Sequence, residues 1–225
     1  VITTITDVDY GVLKMFYKWD SEKVVDMWCY RKEYLPTEFV RSILGLYANK
    51  TTLKGVVGKE VEYLNSKEML NSCYGMCVTN PLRDEFTYEG EWDVATLSPE
   101  KVFETLKKYN ESRNRFLFYP WGIFVTAYAR RNLFTAIMEC GNDYIYSDTD
   151  SVKILNAASH KDYFDRYNNE VVEKLQRACK HHGISFDLCK PKTIKGVEKL
   201  LGVWDYEGTY ERFKTLGAKR YMVQE

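Results

Sequence analysis

Stretches with apolar residues at helical spacing alternate along this chain with short β-prone runs. Phe39, Val40, Ile43, Leu44 and Tyr47 follow Pro36 and Thr37, so a helix is expected there, with Thr37 as its N-cap and its end near Asn49. After a break over 50–58, a second helical pattern runs from Lys59 to Asn71 or slightly beyond, with Gly75 near its end, and the two make a helical hairpin. Ser98-Pro99-Glu100 supplies an N-cap, a first-position proline and a first-turn acid, the start of a short helix ending near Asn110. Pro120 precedes a further helix over 122–140, stopped by Gly141. Tyr163, Tyr167, Val171, Leu175 and Ala178 mark one buried face of a long helix from about Asp162 to His181.

The β-prone runs are shorter. Val1 to Val8 and the mixture of Tyr, Trp and Lys that follows up to Leu35 read as one or two strands. Tyr144-Ile145-Tyr146 and Val152 to Leu155 flank Ser147-Asp148-Thr149-Asp150, which predicts a hairpin with acids at its tip. Two strand-like pieces, Val197 to Val203 and Tyr221 to Val223, alternate with basic turns. No internal repeat and no low-complexity linker interrupts the order, so the expected class is α+β without regular βαβ alternation.

Composition narrows this picture. In 225 residues, 32 Lys and Arg balance 32 Asp and Glu, and 45% of residues are hydrophobic, enough for a real core and too apolar for a disordered chain. No apolar run approaches the ~18 residues of a membrane span, and the first ten residues lack the pattern of a secretory signal, so a soluble protein is expected. Neutrality excludes a uniformly basic nucleic-acid binder but permits local patches. The charge is segregated: residues 84–104 hold seven acids and one base, whereas 105–131 hold six bases and one acid. Six cysteines with no CxxC read as reduced core residues, and Cys179, His181, His182 and Cys189 read as the cationic end of a helix and not as zinc ligands.

Asp148 and Asp150 are the chemically suggestive pair. One residue apart at a hairpin tip, their carboxylates can share a side, and like charges held together call for cations. Hard oxygen ligands of this kind suit Mg2+, which keeps waters and takes one or two protein carboxylates. On the second helix, Lys67, Asn71 and Tyr74 stand at i, i+4 and i+7, one stripe offering a point charge, an amide and a flat ring.

Longer strings around these residues resemble a known family. Tyr146-Ser147-Asp148-Thr149-Asp150-Ser151 is similar to the YxDTDS signature, motif C, of family B DNA polymerases. Lys67-Glu68-Met69-Leu70-Asn71-Ser72-Cys73-Tyr74-Gly75 resembles motif B of that family, KxxxNSxYG. Thr126-Ala127-Tyr128-Ala129-Arg130 looks like the Tx2(G/A)R element and Lys219-Arg220-Tyr221 like the KxY element of its protein-primed branch, found in phages and linear mobile elements. The resemblance implies that Asp148 and Asp150 are catalytic metal ligands for two Mg2+ ions, and that Lys67, Asn71 and Tyr74 bind the nucleotide. It also places Thr126 and Arg130 on the template strand, and Lys219 and Tyr221 at the primer end.

The same resemblance implies a palm with an antiparallel sheet and the motif C hairpin, plus helical-hairpin fingers. Residues 1–34 would connect to the palm, 35–79 form the fingers, 80–118 match by position the second terminal-protein-region insertion, and 119–225 belong to the palm. No DxxSLYP string, the motif A that supplies a further metal-binding aspartate, occurs here, and neither does an exonuclease signature. Asp7-Val8-Asp9 lacks that context and reads as acids on an exposed strand face. The chain is therefore expected to be a piece of a longer DNA-directed DNA polymerase, a nucleotidyltransferase inactive by itself. Expected partners are template-primer DNA, dNTPs and a terminal priming protein, in the cytoplasm of a bacterial host and without a membrane. The alternatives are a non-catalytic DNA-binding remnant of such a polymerase and a Mg2+ phosphohydrolase.

Overall fold

A computed structural model of the chain describes residues 2–112 and 118–224. Among the described residues, six α-helices and six strands fall in two compact units, one built from residues up to Leu70 together with Ala127 onward, the other from Asn71 to Thr126. The class is α+β, and the strands pair as three separate two-stranded antiparallel sheets.

In the first unit, helix α1 (Asp7–Phe16) occupies part of the segment expected to be strand. The local cap decides the matter: the Asp9 backbone N–H donates to the Thr6 hydroxyl at 3.0 Å, and Asp7 and Asp9 lie in the first turn, where the helix dipole favours acids. No strand forms between it and α2, because β-branched composition makes a strand only where a neighbour supplies the ladder. Asp9 is accordingly a first-turn helix residue and not an acid on a strand face. Helix α2 (Thr37–Leu53) outruns its expected end by four residues and starts without a side-chain cap. Thr37 is its first residue, and its hydroxyl is hydrogen-bonded to His182 Nδ1 at 2.9 Å instead of capping the helix.

Helix α6 (Lys161–His182) follows its expected face: Tyr163 and Cys179 are buried, and Tyr167, Val171, Leu175 and Ala178 are half-buried. It ends where Gly183 turns left-handed (φ 60°) and the Ile184 N–H reaches back to the Cys179 carbonyl at 2.9 Å. Ile184 thereby enters a core with Leu44, Cys179 and Cys189, ringed by Val40, Leu175, Phe186, Leu200 and Leu201. Cys179 and Cys189 touch, Sγ to Sγ 3.5 Å, and burial with the Cys179 contact pushes the Cys189 thiol up to about 12, an unreactive state. All six cysteines are free, and Cys29 is exposed.

The expected strand over 197–203 is absent, apart from an isolated bridge between Lys192 and Glu198. Leu200 and Leu201 both turn toward the core, which breaks strand alternation, and Gly196 and Gly202 adopt positive φ on either side. The Asn168 side chain then fastens the next segment, accepting from Trp204 N at 2.8 Å and donating to Trp204 O at 2.9 Å. Strand β5 (Arg212–Gly217), not expected from the sequence, pairs with β6 (Arg220–Gln224).

The second unit holds a hairpin of β1 (Glu85–Tyr88) and β2 (Trp92–Ala95) and helix α4 (Pro99–Glu111). Ser98 caps α4, accepting from the Lys101 N–H, as the sequence predicted. Residues 113–117 of the expected insertion lie outside the described residues. Gly122 is required by close approach: a Cβ there would stand 2.4 Å from Val78 Cγ1 and 3.0 Å from Cys77 Cβ. The remaining helices are α3 (Glu60–Cys77) and α5 (Tyr119–Cys140).

Candidate nucleotidyl-transfer site

The acids expected at a hairpin tip are there. Strand β3 (Tyr144–Asp148) pairs with β4 (Ser151–Ile154) in the register Asp148 to Ser151 and Ser147 to Val152, leaving Thr149 and Asp150 as the turn. Asp143 ties down the base of this hairpin. Its carbonyl accepts from Leu155 N at 2.8 Å, and its carboxylate binds Asn156 Nδ2 at 3.0 Å and His160 Nε2 at 2.9 Å. At the tip Thr149 takes φ 54°, rare for a β-branched residue, and the Asp150 N–H folds back onto the Asp148 carbonyl at 2.6 Å. Such a backbone costs about 1–3 kcal/mol and persists only where its surroundings impose it.

Those surroundings include the C-terminal hairpin. Tyr146 is buried, its ring 5.5 Å from Phe213 and 5.4 Å from Tyr221, while Phe213 and Tyr221 stack on each other at 5.4 Å. The Tyr146 hydroxyl accepts from the Lys219 backbone N–H at 2.9 Å. Lys219 Nζ lies 3.1 Å from each oxygen of Asp148. The turn between β5 and β6 thus carries Lys219 onto Asp148, and β6 packs Tyr221 against Tyr146.

Hydrogen bonds from Lys219, and then from Thr149, hold the Asp148 carboxyl below the usual 3.8 of an aspartate. The sign follows from the depressed value. The favourable interaction is complete above pH 3.8 and is lost as pH falls through the lowered pKa. In Lys219→Gln the Asp148 titration, followed by carboxyl carbon NMR, should move back up toward 3.8; an unmoved midpoint would mean that the pair does not form in solution.

The other expected residues are placed as follows. Lys67, Asn71 and Tyr74 all lie exposed on α3, so their polar and flat groups are accessible. Near the start of α3, Asn49, Leu53, Lys59, Glu62, Asn65 and Ser66 line an open cleft of about 340 Å3, and Lys59 is paired there with Glu62 at 2.6 Å. Thr126 donates within α5 to the Ile123 carbonyl at 2.9 Å. Arg130 grips Asp9, Nε and Nη2 donating to its two oxygens at 2.8 and 3.0 Å. Arg130 is the leading cause that lowers the Asp9 pKa.

Phe213, Tyr146 as an anchor, and Asp9 as the partner of Arg130 are contributions the sequence did not reveal. Alternation of Arg212, Phe213, Lys214 and Thr215 was the available signal for β5. Asp148 and Asp150 fit the oxygen chemistry of one Mg2+ with bound waters, and a cation already sits on Asp148 in the form of Lys219. Among the described residues no three His, Cys, Asp or Glu side chains form a metal-holding group. Also among them, no helix is long and apolar enough to cross a membrane.

No family model matches the chain, and no solved structure matches it. Curated DNA polymerases do. Those of Bacillus phages PZA, phi29 and Nf align with 97% of the chain at 25%, 26% and 24% identity. The chain spans about 30% of the length of each. The motif strings and this alignment agree: along nearly its whole length the chain resembles a stretch of the DNA polymerases of these Bacillus phages.

Proposed function

We propose that this chain is the part of a DNA-directed DNA polymerase that carries the nucleotide-binding helix and one wall of the catalytic site, in protein-primed replication of a phage or mobile element. The supporting observation is the meeting of Lys219 with Asp148, 71 positions apart, two residues that the motif resemblance assigns to the primer end and to the metal. Asp150 and Asp148 would hold Mg2+, with a carboxylate from a motif A outside this chain completing a two-ion site. Bound there, Mg2+ supplies Lewis-acid stabilisation of the attacking 3'-oxygen and the departing pyrophosphate. Lys67 meets the triphosphate, Asn71 hydrogen-bonds near the nucleotide, and Tyr74 lies against the nascent pair. Thr126 and Arg130 face the template strand, and Tyr221 the primer terminus. Arg212, Lys214 and Arg220, all exposed on the same hairpin as Lys219, add local positive charge to a neutral chain. The protein would work in the host cytoplasm with a terminal priming protein.

Kinetics in a polymerase that contains this segment test the reading. Lys67→Ala should raise the dNTP KM and lower kcat while leaving DNA affinity unchanged, because triphosphate charge grows in the transition state. If both constants stay within about twofold, the range of ordinary surface changes, Lys67 only solvates its helix. The 225-residue chain alone should give no primer extension, and Mg2+-dependent extension above a heat-treated control would overturn the division of the metal site between this chain and a missing motif A.

A further inference from the structure

Lys219 is built to stand on Asp148. Its main chain is fixed by the bond to the Tyr146 hydroxyl and by a left-handed φ of 59°, a conformation in which a lysine persists only when held. Tyr146 precedes Asp148 by two positions on β3, and alternation places both on the same face of the strand. The anchor and the ionic partner of Lys219 therefore belong to one strand face. The two ends of the contact differ in freedom, since the lysine side chain is 75% exposed and the aspartate 29%. The ammonium can swing away without uncovering apolar surface, while the carboxylate and the lysine backbone stay in place.

We propose that Lys219 is an exchangeable counter-cation: it neutralises Asp148 until a divalent cation binds, is displaced by that cation, and then turns its charge to a DNA phosphate. The inference rests on the metal reading of Asp148 and Asp150. An ammonium and a divalent ion cannot share the same two oxygens, and at that distance like charges repel even in water. Exposed ion pairs are weak, which exchange requires, and a lysine, as a flexible point charge, leaves more easily than a forked guanidinium. Release of Lys219 by metal makes metal and DNA binding mutually reinforcing, by the same factor in either order.

Mn2+ serves as the probe, with free ion counted by electron paramagnetic resonance in a polymerase that contains this segment and in its variants. Lys219→Gln should bind Mn2+ about two- to fivefold more tightly than the parent, the worth of an exposed ion pair. Lys219→Arg, which keeps the charge on a guanidinium that leaves a carboxylate less easily, should bind Mn2+ no more tightly than the parent. Mn2+ should strengthen binding of a short primer-template duplex, read by fluorescence anisotropy at constant ionic strength, by a similar factor in the parent and not in Lys219→Gln. If Mn2+ binding is lost in Asp150→Asn but Lys219→Gln binds the ion no more tightly than the parent, the exchange is wrong and the metal reading stands. If no variant shows Mn2+ binding that depends on Asp150, the metal reading fails and the exchange with it.

Discussion

Asp150→Asn, placed in a polymerase that contains this segment, is expected to lower primer extension by about a thousandfold or more while primer-template affinity changes by less than about twofold. The separation of the two effects comes from where Asp150 sits. It is an exposed turn residue whose side chain makes no hydrogen bond among the described residues, so on the proposed reading its loss removes a metal ligand and no packing. Stability should move by no more than ~0.5 kcal/mol. Asp148→Asn is a less clean experiment, because it also weakens the contact that holds Lys219. Single-turnover extension and filter binding on the same preparation decide the matter: a large loss of DNA binding with substantial residual extension would remove Asp150 from the metal site.

Arg130→Ala is expected to act on stability as well as on DNA. The Asp9 side chain is only 14% exposed, and losing its guanidinium partner leaves a largely covered carboxylate held from Thr6. A buried group stripped of its partner costs about 1–3 kcal/mol, which for a chain of this size is a fall of very roughly 2–10 °C in melting temperature. Asp9→Asn should recover part of that loss in the Arg130→Ala background, since it removes the stranded charge, and the double-mutant cycle measures the coupling directly. Acid should mimic the mutation. The Asp9 pKa is lowered chiefly by Arg130, so the pair stabilises the fold above pH 3.8 and ceases to do so as pH drops through the depressed value. If Arg130 also meets a template phosphate, its removal lowers the slope of log K against log salt by about one, an effect that Asp9→Asn does not share. A melting temperature unchanged within a degree in Arg130→Ala would show that the pair is not formed in solution.

Much of the local structure was legible along the chain, and its physical origin explains which parts were. Helix α4 is announced by Ser98-Pro99-Glu100, and helix α6 by five apolar positions and a basic last turn, because capping and amphipathicity are written within a few residues of where they act. The β3–β4 hairpin is legible for the same reason: β-prone residues flank a polar tip. Residues 2–35 misled because β-branched composition states a preference that only a neighbouring strand can satisfy, whereas the Thr6 cap needed nothing beyond Asp9. Tertiary structure alone decided the contacts that build the site. Asp9 and Arg130 lie 121 positions apart, Lys219 and Asp148 71, and no local pattern tells which of 32 bases meets which of 32 acids. That choice belongs to the packing of Tyr146, Phe213 and Tyr221, which sets the C-terminal hairpin against β3 and brings the ammonium of Lys219 to the carboxylate of Asp148.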